Sequence, residues 1–329
     1  MQITLQLYTG AIGRSIVSTD SIIERLEHLL KHIKFNTLIY GWATENIDFT
    51  RIRKFTQQHG IELYAWIPVF SELEEHIDLE PVITLEGEPI RPYIYSEHEQ
   101  FTFACPANPK NLQAISRYID TAWPLDEFDG VFLDRIRYPS AIHGPDAIKS
   151  CYCQYCKDKT PTNFKLLLKH KRSVITSAVS LFSKQFKDKG LKVGLDLFAV
   201  PFNKSVGQRF DDLVEISDFI KPMYYTETLS PAGMPFEARA LNKSGKWGYA
   251  NWLPSKLHYN KLYSLYKDSL RIGIEWNKVD NIASTSPTTI TTHLKLIESA
   301  GIDHVVLSWD AMQVPEEHIQ AVKQFIDKA

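Results

Sequence analysis

Apolar and polar residues alternate along M-Q-I-T-L-Q-L-Y at the start of the chain, then change to helical spacing at Leu26, Leu29, Leu30 and Ile33. Strict alternation predicts a half-buried strand, and apolar residues three and four apart predict the buried stripe of a helix. The same change of period recurs. Ser21-Ile22-Ile23-Glu24 has the form of a capping box and predicts a helix start there. Residues 37–40 form the next strand, which ends at Gly41-Trp42. A helix over 47–58 stops at Gly60, and 63–67 reads as a third strand.

The period breaks over 70–107, where acidic residues and prolines surround Val82-Ile83-Thr84-Leu85 and then Glu86-Gly87-Glu88. This predicts a long loop carrying a small hairpin, and loops of that length in compact domains are usually functional. Asn108-Pro109 opens a helix with Leu112, Ile115, Ile119 and Trp123 on one face. A buried strand follows at 131–133, then a second long loop over about 140–160. Beyond it come a long helix to Lys189-Gly190, a strand at 193–197, a short helix at 210–216 and a strand at 219–225. The chain closes with a helix at 254–268, a strand at 270–276, a helix at 286–301, a strand at 304–309 and a helix at 315–326.

Eight strands alternating with helices over 329 residues is the arithmetic of a (β/α)8 TIM barrel. The expected organisation is one α/β domain over 1–329, with loop inserts at 70–107 and 140–160. An open doubly wound sheet would want a glycine-rich phosphate turn after its first strand. Thr9-Gly10-Ala11-Ile12-Gly13 matches that only in part, because no helix opens at Gly13.

Composition changes this picture little. The chain is 44% hydrophobic and 23% charged with a net charge of -2, so no basic face for nucleic acid is expected. No apolar run approaches a membrane span, and the N-terminus lacks the pattern of a signal peptide. The expected location is cytoplasmic, or periplasmic or secreted if a leader precedes this sequence.

The strand ends carry the candidate chemistry. The expected rim of the barrel holds Tyr8, Trp42, Trp66, Asp134, Asp196, Glu227, Glu275-Trp276 and Trp309-Asp310. Barrel enzymes keep their active residues on that face, so acids and aromatics concentrated there point to a site. Paired carboxyl groups with aromatic platforms suit glycoside hydrolysis on an oligo- or polysaccharide. One carboxyl group protonates the leaving oxygen, and the other acts as nucleophile or as base for water. Asp134 stands next to Arg135 and Arg137, which would favour its ionised form. Glu227, beside Tyr225 and Met223, has the more apolar surroundings expected of the acid, and Asp196 is the rival for either role. Trp42, Trp66, Arg137, Tyr225, Glu275, Trp276, Trp309 and Asp310 are candidate substrate contacts. The alternative is a non-catalytic sugar-binding or degenerate barrel, with Asp134 in a structural pair with an arginine. Metal-dependent hydrolysis finds no support, since no H-x-H follows the first strand.

Cys105-Pro106-Ala107-Asn108-Pro109, followed by a helix and then F-D-G-V-F-L-D-R-I-R-Y-P at 128–139, resembles the signature of glycoside hydrolase-like barrel families. Ile220-Lys221-Pro222-Met223-Tyr224-Tyr225 is similar to their sixth-strand I-S-P-M-x-Y segment. The resemblance covers about residues 60–230. It implies a barrel fold and a carbohydrate-related role, with Asp134 as nucleophile. The alpha-galactosidase-like pattern would place the acid at Glu227. The alpha-amylase-like pattern wants a glutamate on strand five, where this chain has Asp196.

Cys151-Tyr152-Cys153-Gln154-Tyr155-Cys156 places three thiols in six residues, and Cys105 lies in the preceding strand-end loop. Both loops should leave the same face of the barrel. Four thiolates there would suit a tetrahedral structural zinc, with His98 or His143 as substitute ligands. Four reduced thiols or a disulfide is the other reading. No cofactor is expected to be needed for catalysis.

Overall fold

The computed structural model of the protein describes residues 1–9, 17–73, 76–94, 100–230, 233–241 and 254–328. Eight parallel strands close into a barrel: β1 (Gln2–Tyr8), β2 (Thr37–Gly41), β3 (Glu62–Pro68), β4 (Gly130–Asp134), β5 (Lys192–Phe198), β6 (Phe219–Tyr224), β7 (Ile272–Glu275) and β8 (His304–Ser308). β8 returns to pair with β1, with Ile3 opposite Val305, and closure leaves no free sheet edge. The crossovers run through α1 (Thr19–Leu30), α2 (Phe49–Gln58), α3 (Pro109–Ala122), α4 (Phe164–Lys187), α5 (Phe210–Val214), α6 (Lys256–Tyr266) and α7 (Pro287–Ser299); α8 (Glu316–Ile326) follows β8. The (β/α)8 arrangement expected from the alternating periods is therefore present.

The strand pleat sorts side chains into two cores. Residues such as Leu5, Leu38, Leu63 and Val131 face outward and are buried under the helices. Ile39, Tyr64, Phe132, Phe219 and Val306 face inward and fill the lumen. Phe132 stacks on Phe219 with ring centres 5.9 Å apart, and Tyr64 meets Phe219 edge-on at 5.6 Å. The lumen is thus plugged below, and chemistry is confined to the mouth above.

Caps explain most helix starts. Asp48, Asn108, Asn163, Ser255 and Ser286 each accept a backbone N–H in the first turn of their helix. The first helix departs from the expected box. Ser18 is its N-cap, and the reciprocal bond comes from Ser21 instead of Glu24. The physical reason is that Ser18 already presents its hydroxyl to the Ser21 N–H, so the helix begins three residues earlier.

The loop after β3 contains the expected hairpin, where Ile83 pairs with Pro89 and Gly87 takes φ 88° at the turn. A second ribbon pairs Tyr93–Ile94 with Gln100–Phe101. Gly10, Ala11, Ile12, Gly13 and His98 lie outside the described residues. Among the described residues, no helix is long and apolar enough to cross a membrane.

Candidate active site at the barrel mouth

A cleft with about 660 Å³ of free space, its opening to solvent included, lies over the C-terminal ends of the strands. One side is aromatic. Tyr8 meets Trp42 edge-on at 5.1 Å and Trp309 at 6.2 Å, and Trp42 meets Trp66 at 5.5 Å. All four line the cleft. Gly41 permits this wall, because a Cβ there would stand 2.2 Å from the Trp66 carbonyl oxygen.

Asp134 ends β4 two residues after the lumen residue Phe132, so alternation aims it up into the cleft. It is 8% exposed. The Trp66 indole Nε1 donates to its Oδ2 at 3.0 Å, and the Arg135 backbone N–H donates to its Oδ1 at 2.5 Å. Arg135 has φ 55°, a left-handed value uncommon for a side chain of its size.

The two arginines are held by other groups. Arg135 lies over the Phe101 ring at 4.2 Å and pairs with Glu72 at 3.3 Å. Arg137 is sandwiched between Phe103 at 4.5 Å and Phe198 at 4.4 Å, and its Nη1 donates to the Tyr138 carbonyl. Both guanidinium groups line the cleft.

Asp196, on the inward face of β5, also lines the cleft, as does Glu72, the partner of Arg135. Lys221 Nζ donates to Asp196 Oδ2 at 3.1 Å, to Gln6 Oε1 at 3.0 Å and to the Tyr225 hydroxyl at 2.5 Å. The Lys221 and Asp196 side chains are 0% and 1% exposed. Burial pushes Asp196 up to about 7; the Asp134 charge adds to the rise, and Lys221 opposes it. Burial likewise lowers the Lys221 pKa, with Asp196 pulling the other way. Gly273 makes room for the lysine, since a Cβ there would meet Lys221 Cε at 2.3 Å.

Of the residues singled out from the sequence, Asp134, Asp196, Trp42, Trp66, Arg137, Tyr225 and Trp309 meet in this cleft. Glu227, Glu275, Trp276 and Asp310 do not line it. Glu227 accepts from the Ser286 N–H at 3.1 Å and the Thr289 hydroxyl at 2.9 Å, at the start of α7. Its place beyond the end of β6 leaves its direction to the loop. Glu275 accepts from the Glu227 N–H at 2.5 Å and from the Thr226 and Thr228 hydroxyls. Burial raises its pKa to about 7. Trp276 is fully buried outside the cleft. Asp310 accepts from the Met312 N–H at 3.0 Å and from Gln313 at 3.0 Å, capping a single turn.

Sequence reasoning passed over Lys221 and Glu72 as site residues. Lys221 had a legible signal, a lysine between Phe219 and Met223 on one face of a strand whose neighbours are apolar. Glu72 lies in the long loop, where no period applies.

Below the arginine wall the four cysteines converge. Their sulfur atoms all lie within 4.8 Å of one another, and all four residues are buried. Cys105 Sγ stands 3.5 Å from both Cys153 Sγ and Cys156 Sγ. His143 is engaged elsewhere, its Nδ1 2.9 Å from the Arg91 carbonyl oxygen.

No family model and no curated protein matches the sequence. Solved structures match the fold. The PgaB (BpsB) glycoside hydrolase domain from Bordetella bronchiseptica is similar with a TM-score of 0.61 at 13% identity, over 99% of this chain and 98% of that one. A class V chitinase from Pseudomonas fluorescens Pf-5 has a TM-score of 0.57 at 10% identity, over 99% and 100%. Alpha-L-fucosidase isoenzyme 2 from Paenibacillus thiaminolyticus has a TM-score of 0.62 at 13% identity, over 99% of this chain and 49% of that one. At these identities the likeness establishes a shared barrel architecture, and the structural neighbours named here are glycoside hydrolases.

Proposed function

We propose that the protein is a glycoside hydrolase acting on an oligo- or polysaccharide, with Asp134 and Asp196 as its carboxyl pair. The observation that carries this reading is the meeting of two carboxyl groups from adjacent strands in one aromatic cleft at the barrel mouth. A structural Asp–Arg clamp would have tied Asp134 to a guanidinium; instead its oxygens take N–H donors from Trp66 and the Arg135 backbone.

The roles follow from the surroundings. Asp196 holds its proton up to about pH 7, because burial disfavours its charged form. It acts as the acid, passing that proton to the glycosidic oxygen as the C–O bond breaks. Asp134 acts at the anomeric carbon, directly or through a water that it deprotonates. Lys221 orients Asp196 and restrains the rise in its pKa. The Tyr8, Trp42, Trp66 and Trp309 rings offer apolar faces for the sugar to lie against. The arginines offer hydrogen-bond donors to its hydroxyl groups.

A panel of aryl glycosides and polysaccharides, assayed with wild type, Asp134→Asn and Asp196→Asn, tests this reading. Wild type is expected to release reducing sugar or aglycone from at least one substrate, and both variants to lose that activity while remaining folded. Oligosaccharide binding without turnover by the wild-type protein would instead make this a binding barrel.

A further inference from the structure

The thiol cluster stands apart from the proposed sugar chemistry. We propose that Cys105, Cys151, Cys153 and Cys156 hold one structural zinc ion, which fastens the loops after β3 and β4 together behind the arginine wall of the cleft.

The donor geometry fits. Tetrahedral zinc with Zn–S bonds of about 2.3 Å sets its sulfur atoms about 3.8 Å apart. Here two of the pairs stand at 3.5 Å, and every pair lies within 4.8 Å. All four sulfurs serve as ligands, so no position is left open for water or substrate, which is the pattern of a structural site. A disulfide would use two sulfurs and leave two more packed against it without a role.

The surrounding backbone supports bound thiolates. The Ile83 and Cys153 N–H groups both point at Cys151 Sγ, each at 3.4 Å. Hydrogen bonds of this kind hold a ligating sulfur in place and favour its anionic form. The Cys156 and Lys157 N–H groups both donate to the Cys153 carbonyl, folding C-x2-C into a tight turn. The Thr160 hydroxyl donates to the Cys151 and Cys156 carbonyls and closes the knuckle.

The connection to the cleft is short. Cys105 follows Phe103 by two residues, and Phe103 forms one side of the Arg137 sandwich. Phe101, two residues earlier, carries Arg135. Within the loop after β3 the Val82 N–H donates to the Phe103 carbonyl, and the Tyr152 N–H of the loop after β4 donates to the Ile83 carbonyl, so the two loops are tied beside the cluster. Zinc there would fix the aromatic supports of both arginines. This inference is independent of the sugar chemistry, because its readouts are metal content and local backbone protection.

The test uses the full chain, purified under reducing conditions without chelator or added metal. Elemental analysis is expected to find one zinc per chain, and a mercurial reagent to release it as the four thiols react. Hydrogen exchange before and after release is expected to show protection over residues 80–84 and 101–105 falling by about tenfold or more, with β1 and β8 unchanged. Cys153→Ser is expected to purify without zinc and to show the same local loss. If that variant fails to fold, stripping of the wild type decides the matter. Freshly purified protein containing no zinc, or iron in its place, overturns the metal. Zinc release with unaltered protection at 101–105 overturns its role as a fastener of the cleft wall.

Discussion

The carboxyl groups at the barrel mouth divide into two sets. On the β4–β5 side, Asp134 and Asp196 open onto the cleft, with a tryptophan indole on one and a buried lysine on the other. On the β6–β8 side, Glu275 holds the loop at 226–228, Glu227 holds the start of α7, and Asp310 caps the turn after β8. Each of these three accepts a backbone N–H that a loop would otherwise leave unsatisfied, and such groups must find partners when buried. Asp134 also accepts a loop N–H, from Arg135, yet still lines the cleft, so what separates the two sets is where the donors hold the carboxyl group rather than residue type.

Exchanging the two sets functionally would break this comparison. Asp134→Asn and Asp196→Asn should each lower kcat by about 10²–10⁴-fold, the usual range for a lost acid–base or nucleophilic group. Glu227→Gln and Glu275→Gln should leave kcat within a few-fold of wild type. A dead Glu227→Gln with a live Asp196→Asn, on the same substrate, would move the acid to the other side of the barrel.

Gly273→Ala sharpens the β5–β6 side. Its Cβ would stand 2.3 Å from Lys221 Cε, so the lysine must shift off Asp196. Overpacking of this kind costs about 1–3 kcal/mol, read as a lower denaturation midpoint. Turnover should drop as well, with circular dichroism reporting an intact barrel. Unchanged stability and turnover would show that Lys221 has slack.

The pH profile should distinguish the sets too. Asp196 must keep its proton to act as acid, so kcat should fall as pH rises through about 7. Glu275 bears on stability. Burial raises its folded pKa to about 7 from the ordinary 4.5, so the folded state retains a proton that the unfolded chain releases between those values. Its contribution to stability therefore declines as pH rises through that window. Glu275→Gln should flatten that decline, by on the order of 3 kcal/mol across the window in urea melts.

The smallest effect belongs to Glu227→Gln. Its bonds to the Ser286 N–H and Thr289 hydroxyl are half-buried, and their weakening should cost about 1 kcal/mol in the same melts. A larger loss would mean that the β6 loop and α7 depend on this carboxylate more than its partners suggest.

The sequence by itself determined the eight strands, because each carries its own period and stop signals within a few residues. It also placed Asp134 at the strand tip, since alternation continues from Phe132 and Pro139 ends the strand soon after. The meeting of the four thiols followed from two loops leaving adjacent strands on one face. Only the tertiary structure decided which acids face the cleft. Lys221 takes its meaning from Gln6 and Asp196, which lie 215 and 25 residues away in the chain. Glu275 is claimed by N–H and hydroxyl groups of the loop at 226–228, and Glu227 by the start of α7, some 60 residues further along the chain. Local pattern dictates where a strand ends, but the direction of a carboxyl group beyond it depends on whichever distant donors the closed barrel brings within hydrogen-bond reach.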